Sequence, residues 1–342
     1  MSEFRIDQIS NQTGTAGPDI AGITTFSSTS GMLMPSGATE YRGGRGRGVF
    51  GGAYQGPSNK NTIDFVTIST LGNAIDFGDR TSGNAVIFSS CSSSVRGVFA
   101  GGYSPNTNTI DYITISSTGN AFDFGDLLEA KYGSGALSNS TRGIFMGGNP
   151  NSGTYNVIQY ITISTLGNAS DFGDLTRGKN YNSGVSSPVR GINIGGFAQP
   201  VVLNIIDYFT IASTGDALDF GDLITGGIGV NSASGNSIRG LSAQNNSTVT
   251  RTNYIEYITI ASTGNAQDFG DLTQNRAAPG STSNSTRSLF AGGNTASSPD
   301  VVVNTIDYVT IMTTGNAVDF GDRTVTASYV AGCSDAHGGL GD

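Results

Sequence analysis

Apolar and polar residues alternate along one short stretch that the chain repeats six times. In the second copy, Ile110–Ile115 reads I-D-Y-I-T-I, which is typical of a half-buried strand. An apolar run ending in glycine precedes this strand, and the tetrapeptide D-F-G-D follows it. D-F-G-D begins at Asp76, Asp123, Asp171, Asp219, Asp268 and Asp319, and an arginine opens each apolar run at Arg47, Arg96, Arg142, Arg190, Arg239 and Arg287. Two markers with a common period of about 48 residues predict the blades of a β-propeller.

Each repeat divides into four predicted strands. In the second copy these are Ala85–Ser92, Gly97–Gly102, Thr109–Ser116 and Ala121–Asp126. The T-G-N at Thr118–Asn120 is predicted to be a hairpin turn, because Gly and Asn accept positive φ angles. The glycine pair that ends the second strand is expected where blades converge on a central channel, since a missing Cβ lets backbones approach.

The two ends of the repeated region predict how the ring closes. The first copy has a second strand with no first strand before it, whereas the last copy continues into Thr324–His337, which aligns with Thr81–Val95. We therefore expect Tyr329–Cys333 to pair beside Gly48–Gly52, which gives an all-β, six-bladed propeller with four-stranded blades, closed by a C-terminal strand. The fifth copy lacks the glycine pair at Leu241–Asn245 and should form the least regular blade.

Residues 1–46 do not match the repeat and form a predicted extended N-terminal arm, with the propeller in residues 47–342. The apolar residues of the arm lie among turn formers without helical spacing. Alone it cannot bury a core, so we expect it to order on its own propeller or on a partner. Its candidate partner-binding residues are Ile6, Ile9, Ile20, Ile23, Phe26, Arg42 and Arg45.

Charge and hydropathy exclude two classes of partner. The formal net charge is −9, so phosphate backbones would be repelled and nucleic-acid binding is not expected. No run of 18 apolar residues is present, and we predict no membrane insertion. Cys91 and Cys333 occupy equivalent places in the repeat, which favours two small strand residues over a disulfide or a metal site.

The recurring acids are interpreted as structural. D-F-G-D offers two carboxylates, whereas calcium prefers six or more oxygens from a compact loop. We expect its aspartates to cap turns and its phenylalanine to pack between blades. A further acid precedes the aromatic of the third strand, and an Arg–Asp pair within or between blades is compatible with it. This position is occupied by Asp64, Asp111, Gln159, Asp207, Glu256 and Asp307.

No catalytic constellation stands out from the repeat. His337 is the single histidine, and its place near Cys333 is interpreted as incidental because no orienting group accompanies it. A glycosidase would need a positioned acid pair, and a copper oxidase would need several histidine ligands. We therefore predict a non-enzymatic protein with no metal and no cofactor.

The unit resembles the kelch-type β-propeller repeat, through its arginine, its apolar strand ending in Gly-Gly and its following aromatic strand. The phenylalanine of D-F-G-D stands where kelch repeats usually carry tryptophan. The repeat sequence looks like repeats in virion proteins of tailed phages, especially of marine cyanobacteria. The residues that carry this resemblance are I-D-Y-I-T-I-A-S-T-G-N-A-x-D-F-G-D-L. Q-T-G-T-A-G-P-D-I, followed by L-M-P-S-G at Leu33–Gly37, is similar to the attachment ends of such appendage proteins. The resemblance implies a virion protein that assembles in the bacterial cytoplasm and binds other virion proteins through its arm.

The loops between second and third strands differ among copies, and a specific site is expected there. They carry Tyr, Asn, Gln and Ser, which suit contacts with a host-surface glycan or protein. The longest, Asn294–Asn304, contains Val301 and Val302, whose predicted exposure suggests a contact. The predicted function is decoration of the particle or host adhesion. The alternatives are a cellular protein-interaction propeller and a glycan-processing or oxidase propeller.

Overall fold

The computed structural model describes residues 23–25, 34–35, 46–55, 59–81, 89–150, 153–224, 228–245, 251–297 and 300–336. The chain divides into two compact units, residues 1–44 and 45–342. In the first unit, the strands Ile23–Thr25 and Met34–Pro35 pair antiparallel. The second unit is a six-bladed β-propeller in which every blade is an antiparallel sheet of four strands, as predicted.

The strands of each blade are given from the channel outward. Blade 1 comprises Ala331–Ser334, Arg47–Tyr54, Asn59–Thr67 and Ile75–Asp79. Blade 2 comprises Ser89–Ser92, Arg96–Gly102, Thr107–Thr114 and Phe122–Asp126. Blade 3 comprises Gly135–Ser138, Arg142–Met146, Val157–Thr162 and Ser170–Asp174. Blade 4 comprises Ser183–Ser186, Arg190–Ile194, Ile205–Thr210 and Leu218–Asp222. Blade 5 comprises Ile228–Gly235, Arg239–Asn245, Tyr254–Thr259 and Gln267–Asp271. Blade 6 comprises Gly280–Ser283, Arg287–Ala291, Thr305–Thr310 and Val318–Asp322.

The ring closes within blade 1, and the predicted pairing is confirmed. The inner strand Ala331–Ser334 lies antiparallel to the second strand, with Val49 opposite Cys333 and Gly51 opposite Ala331. Blade 5 is less regular, as predicted, because its inner pairing shifts register between Ile228 and Ser232. The inner pairings described for the other five blades are continuous.

The hydrophobic core is divided among the junctions between neighbouring blades. At the first junction, Val49, Ile63 and Phe77 of blade 1 pack with Phe99 and Ile113 of blade 2. Phe77 is the aromatic residue of D-F-G-D and is 2 % exposed, which confirms that this residue packs between blades. Each blade is therefore stabilised through apolar surface that it shares with its neighbours.

The T-G-N segment is not the hairpin turn, and this prediction was wrong. The tight turn comes earlier, where Ser117 N–H donates to the Thr114 carbonyl at 3.1 Å. Gly119 and Ala121 then donate to the carbonyls of Phe77 and Asp79 on the outer strand of the preceding blade, both at 2.8 Å. We call this segment the strap; it is Gly-Asn-Ala in five copies and Gly-Asp-Ala at Gly215–Ala217. It recurs at all six junctions, so each blade holds the outer edge of the blade before it.

The strap also changes the role expected for D-F-G-D. The Asn120 side-chain oxygen accepts a hydrogen bond from the main-chain N–H of Asp79 at 3.0 Å, and the other five junctions repeat this bond. The hydrogen bonds that the structure describes here are thus made by the main chain of the motif, instead of by turn-capping carboxylates. An apolar residue in the middle of the strap, where five copies have asparagine and one has Asp216, could not accept this hydrogen bond.

The glycine pair permits a close approach, but not to the channel. Gly101 has φ +73°, and a Cβ there would lie 2.6 Å from the Lys131 carbonyl oxygen. Lys131 belongs to the connector that leads from the outer strand of blade 2 to the inner strand of blade 3. Gly102 N–H donates to the same carbonyl at 3.1 Å. The pair therefore seats the connector, which explains its place at the end of the second strand.

The two recurrent glycines of the strap contact should differ in their tolerance of alanine. Gly119 and Gly125 have φ angles of +154° and +146°, so alanine strains the backbone at either position. Only at Gly125 would the Cβ also lie 2.5 Å from a carbonyl oxygen, that of Gly167 in the next strap. We expect Gly119→Ala to cost about 1–3 kcal/mol of unfolding free energy and Gly125→Ala clearly more. Urea denaturation measures both, and equal losses would contradict the strap geometry.

Candidate functional site

The acid of the third strand is paired with a cation from the preceding blade junction. The carboxylates of Asp64, Asp111, Asp207 and Asp307 lie between 2.5 and 3.1 Å from the nearest cationic nitrogen, and both side chains of each pair are fully buried. The cations are Arg323, Arg80, Lys179 and Arg276, in that order. The expectation of a recurring ion pair is thus confirmed, with lysine in one pair. Buried pairs of this kind fix packing more than they add stability.

Lys131 occupies the place of Lys179 but faces an amide. The third-strand residue of its blade is Gln159, whose oxygen accepts a hydrogen bond from Leu128 N–H at 2.8 Å. The Lys131 ammonium donates to the Gly147 carbonyl at 2.8 Å, and the side chain is fully buried. Burial lowers the pKa of Lys131 to about 7, and the negative charge of Glu129 opposes this shift. In the remaining blade, Glu256 accepts from Ile224 N–H at 3.0 Å.

The arginine that opens each second strand joins two blades. Its guanidinium lies over the aromatic ring of its own third strand, 4.2 to 4.9 Å from the ring centre. It also donates to a main-chain carbonyl of the next blade at 2.8 to 3.1 Å. The acceptors are Ile115, Ile163, Ile211, Ile260, Ile311 and Ile68. This arginine therefore has a structural role distinct from the buried ion pairs.

Serine hydroxyls connect the inner strands around the channel. Five donate to a main-chain carbonyl of the preceding inner strand at 2.5 to 2.8 Å, from Ser92, Ser138, Ser186, Ser283 and Ser334. Gly235 holds the sixth position, where a Cβ would lie 2.2 Å from the Arg239 carbonyl oxygen. The channel cavity is about 80 Å³, which accommodates a few waters and no sugar ring.

Both cysteine thiols are free and buried beside this channel. Burial raises the pKa of Cys333 to about 12 and that of Cys91 well above its usual value. Because the thiolate is the reactive species, we expect neither thiol to react with iodoacetamide at pH 8 until the ring unfolds. Mass spectrometry after labelling, with and without guanidinium, measures this. Rapid modification of the native protein would contradict it.

Tyrosines gather at one end of the channel, on the face that carries the variable loops. Tyr103 and Tyr132 have ring centres 4.7 Å apart, and Tyr132 and Tyr181 are 6.0 Å apart. Tyr54 and Tyr329 form a second pair at 5.7 Å with rings nearly perpendicular. Tyr181 and Tyr329 each come just before an inner strand that lines the channel. We call these five residues the mouth cluster.

Two members of the mouth cluster have strained backbones. Tyr181 and Tyr329 adopt φ angles of +55° and +58°, a region that bulky residues rarely occupy. Ala278 has φ +54° at the equivalent place of another junction. Tyr181 N–H donates to the Gly133 carbonyl at 2.6 Å, and Tyr329 N–H donates to that of Ala278 at 3.0 Å. Bonds to the neighbouring connector thus offset strain of a kind that is concentrated at functional sites.

Sequence reasoning did not find the mouth cluster as a unit. It selected the loops that contain Tyr54 and Tyr103, but not the connectors that contain the other three residues. A usable signal was present, because a tyrosine follows D-F-G-D by six or seven residues at Tyr132, Tyr181 and Tyr329. The equivalent connector of blade 5 carries Ala277 and Ala278.

The loop residues predicted to bind a partner lie on a short hairpin. Asn294–Ser297 pairs with Asp300–Val302, and Val301 is 44 % exposed while Val302 is half-buried. A partner for Val301 and Val302 stays a prediction. Of the arm candidates, Ile23 lies in the strand Ile23–Thr25. Ile6, Ile9, Ile20, Phe26, Arg42 and Arg45, like His337, lie outside the described residues.

Comparisons with known proteins leave the fold as the main guide to function. Within the described residues, no group of three or more His, Cys, Asp or Glu side chains is arranged to hold a metal ion. Nor does any helix among them have the length and apolar character needed to cross a membrane. No protein-family model matches the chain, and no curated protein matches it. The β-propeller fold is consistent with a protein-interaction propeller.

Proposed function

We propose that the chain is a non-enzymatic structural protein of a phage virion. The N-terminal arm anchors it to other virion proteins, and the propeller is displayed for decoration of the particle or for host adhesion. In this proposal the chain assembles in the bacterial cytoplasm and resides in the particle. The arm residues Ile6, Ile9, Ile20, Ile23, Phe26, Arg42 and Arg45 make the anchoring contacts.

The observation that carries the proposal is the contrast between a uniform ring and one variable face. Straps and arginines hold all six junctions by the same contacts, which makes the ring a scaffold. The loops between second and third strands instead vary from Tyr103–Asn108 to the longer Asn294–Asn304. Binding residues are commonly carried on loops that a rigid scaffold positions. Exposed Val301 and half-buried Val302 lie on this variable face.

The recurring acids support binding over catalysis in this proposal. Asp64, Asp111, Asp207 and Asp307 are buried against cations within the blade junctions. The main chain of D-F-G-D holds the straps. The third-strand acids and the main chain of D-F-G-D therefore already have structural tasks, and in this proposal the differences among copies serve recognition.

The test is the composition and assembly of the particle. We expect peptides of this chain in mass spectra of purified virions of the phage that encodes it. A chain that lacks residues 1–41 should melt as full-length protein does but be absent from particles. A full-length chain with Val301→Ser serves as the control and should be incorporated. A chain that is missing from virions, or that needs residues 1–41 to fold, would favour the cellular interaction propeller.

A further inference from the structure

Charge is distributed unevenly over the propeller. Twelve of the 26 acidic residues belong to the six D-F-G-D motifs on the outer strands. A second group of segments, the variable loops and the connectors, lies on the face of the ring that carries the mouth cluster. These segments contain two acids, Glu129 and Asp300. The cations of the connectors are mostly buried, as with Lys179 and Arg276. The mouth cluster thus lies on a surface with few free charges, which suits a neutral ligand better than a polyanion.

The mouth cluster is arranged as an aromatic surface with polar neighbours. Tyr103 is 47 % exposed, and Tyr132 and Tyr181 are half-buried beside it, so that part of each side chain reaches solvent. Gly133 makes room for this arrangement, because a Cβ there would lie 3.0 Å from the Tyr181 ring. Asn180, adjacent to Tyr181, is 3 % exposed, and its side-chain oxygen has no hydrogen-bond partner within the described structure. A buried acceptor without a donor is costly and is satisfied by a ligand or a water.

Saccharides match this combination of groups. The C–H faces of a sugar ring pack on aromatic rings, and its hydroxyls supply donors to amide and phenol oxygens. The small volume of the channel keeps a sugar ring outside, across the mouth, where Tyr103, Tyr132 and Tyr181 are adjacent. We propose that the mouth cluster is a binding site for a neutral saccharide. This inference deepens the adhesion role of the proposed function and rests on it for its biological meaning.

The test measures binding by the full-length chain to defined polysaccharides. Isothermal calorimetry against dextran and mannan reports binding, with dextran sulfate as the charged comparison. Tyrosine emission gives a second readout, because the chain contains no tryptophan. Tyr103→Ala and Tyr181→Ala should each weaken binding about tenfold through the loss of one stacking ring. Tyr181→Phe keeps the ring and should retain most of the affinity.

The variants are chosen so that loss of folding is recognised. Alanine already occupies the equivalent strained position at Ala278, and Tyr103 is exposed, so both alanine variants should melt near the parent temperature. Tyr254→Ala removes an exposed tyrosine outside the cluster and should leave binding unchanged.

Several results would overturn the site. The first is that neither neutral polysaccharide binds, or that dextran sulfate alone binds. The second is that both alanine variants bind as the parent does. The third is that the chain binds poly-L-proline and neither neutral polysaccharide. Virion incorporation is measured separately. A chain found in particles that fails these binding tests refutes the saccharide site and leaves the proposed function standing.

Discussion

Deletion of residues 327–342 is expected to unfold the whole propeller and not merely to loosen one edge. The deleted inner strand contributes Ala331 and Cys333 to the core between blades 1 and 2. The connector residues Ala327 and Val330, which the deletion also removes, belong to the core between blades 6 and 1. Full burial of a single valine-sized side chain is worth about 1.5–3 kcal/mol, and a whole domain is stable by only about 5–15 kcal/mol. The deletion opens both junctions at once, so the loss should approach the total stability.

Thermal unfolding followed by circular dichroism measures this effect. We expect either insoluble protein or a melting temperature lower by more than about 15 °C. A peptide of residues 327–336 added in trans should restore part of the loss, whereas a scrambled peptide of the same composition should not. A shortened chain that melts cooperatively within a few degrees of the parent would show that the ring does not depend on this strand.

Lys131→Met is expected to stabilise the protein at neutral pH, which is unusual for the removal of a buried charge. No carboxylate of the described residues forms an ion pair with the Lys131 ammonium, since Gln159 stands where Asp207 pairs with Lys179. Burial lowers its pKa from 10.5 to about 7. The unfolded chain therefore binds more protons between these two pH values, and the stability of the parent should rise as pH increases from 7 to 10. The upper limit of this rise is about 4–5 kcal/mol.

The equivalent lysine provides a control of opposite sign. Lys179→Met should destabilise by about 3–5 kcal/mol, because it leaves the buried carboxylate of Asp207 unpaired. Guanidinium denaturation from pH 7 to pH 10 should show a smaller rise in stability for Lys131→Met than for the parent. Gln159→Asp supplies the missing partner and should raise the pKa of Lys131. If Lys131→Met and Lys179→Met destabilise alike at pH 7, the lysine is not buried as an unbalanced charge.

Periodicity made the architecture predictable, because each residue with a repeated task recurs at a repeated spacing. The closure of blade 1 followed from one missing strand at each end of the repeated region. Contacts between copies were harder to infer. The cation that pairs with the third-strand acid lies at different distances from D-F-G-D along the sequence. Arg80 follows the motif directly, whereas Lys179 follows it by five residues, so no single spacing predicts the ion pair.

The interpretation of T-G-N as a hairpin turn was wrong because it also depended on a contact between copies. Gly119 does have a positive φ, but its N–H meets the preceding blade instead of closing a hairpin. The mouth cluster was missed because its tyrosines occupy two types of segment, loops and connectors, that only the folded ring brings to one end of the channel.

The straps also determine which kinds of recognition the rim of the ring permits. An extended peptide can extend a β-sheet only where the outermost strand offers free main-chain groups. Here the carbonyls of Phe77 and Asp79, and the N–H of Asp79, are already bonded to the next blade, and the other five outer strands repeat this. β-Augmentation at these outer strands is therefore blocked. Many copies could be crowded side by side at high local concentration without joining their sheets edge to edge.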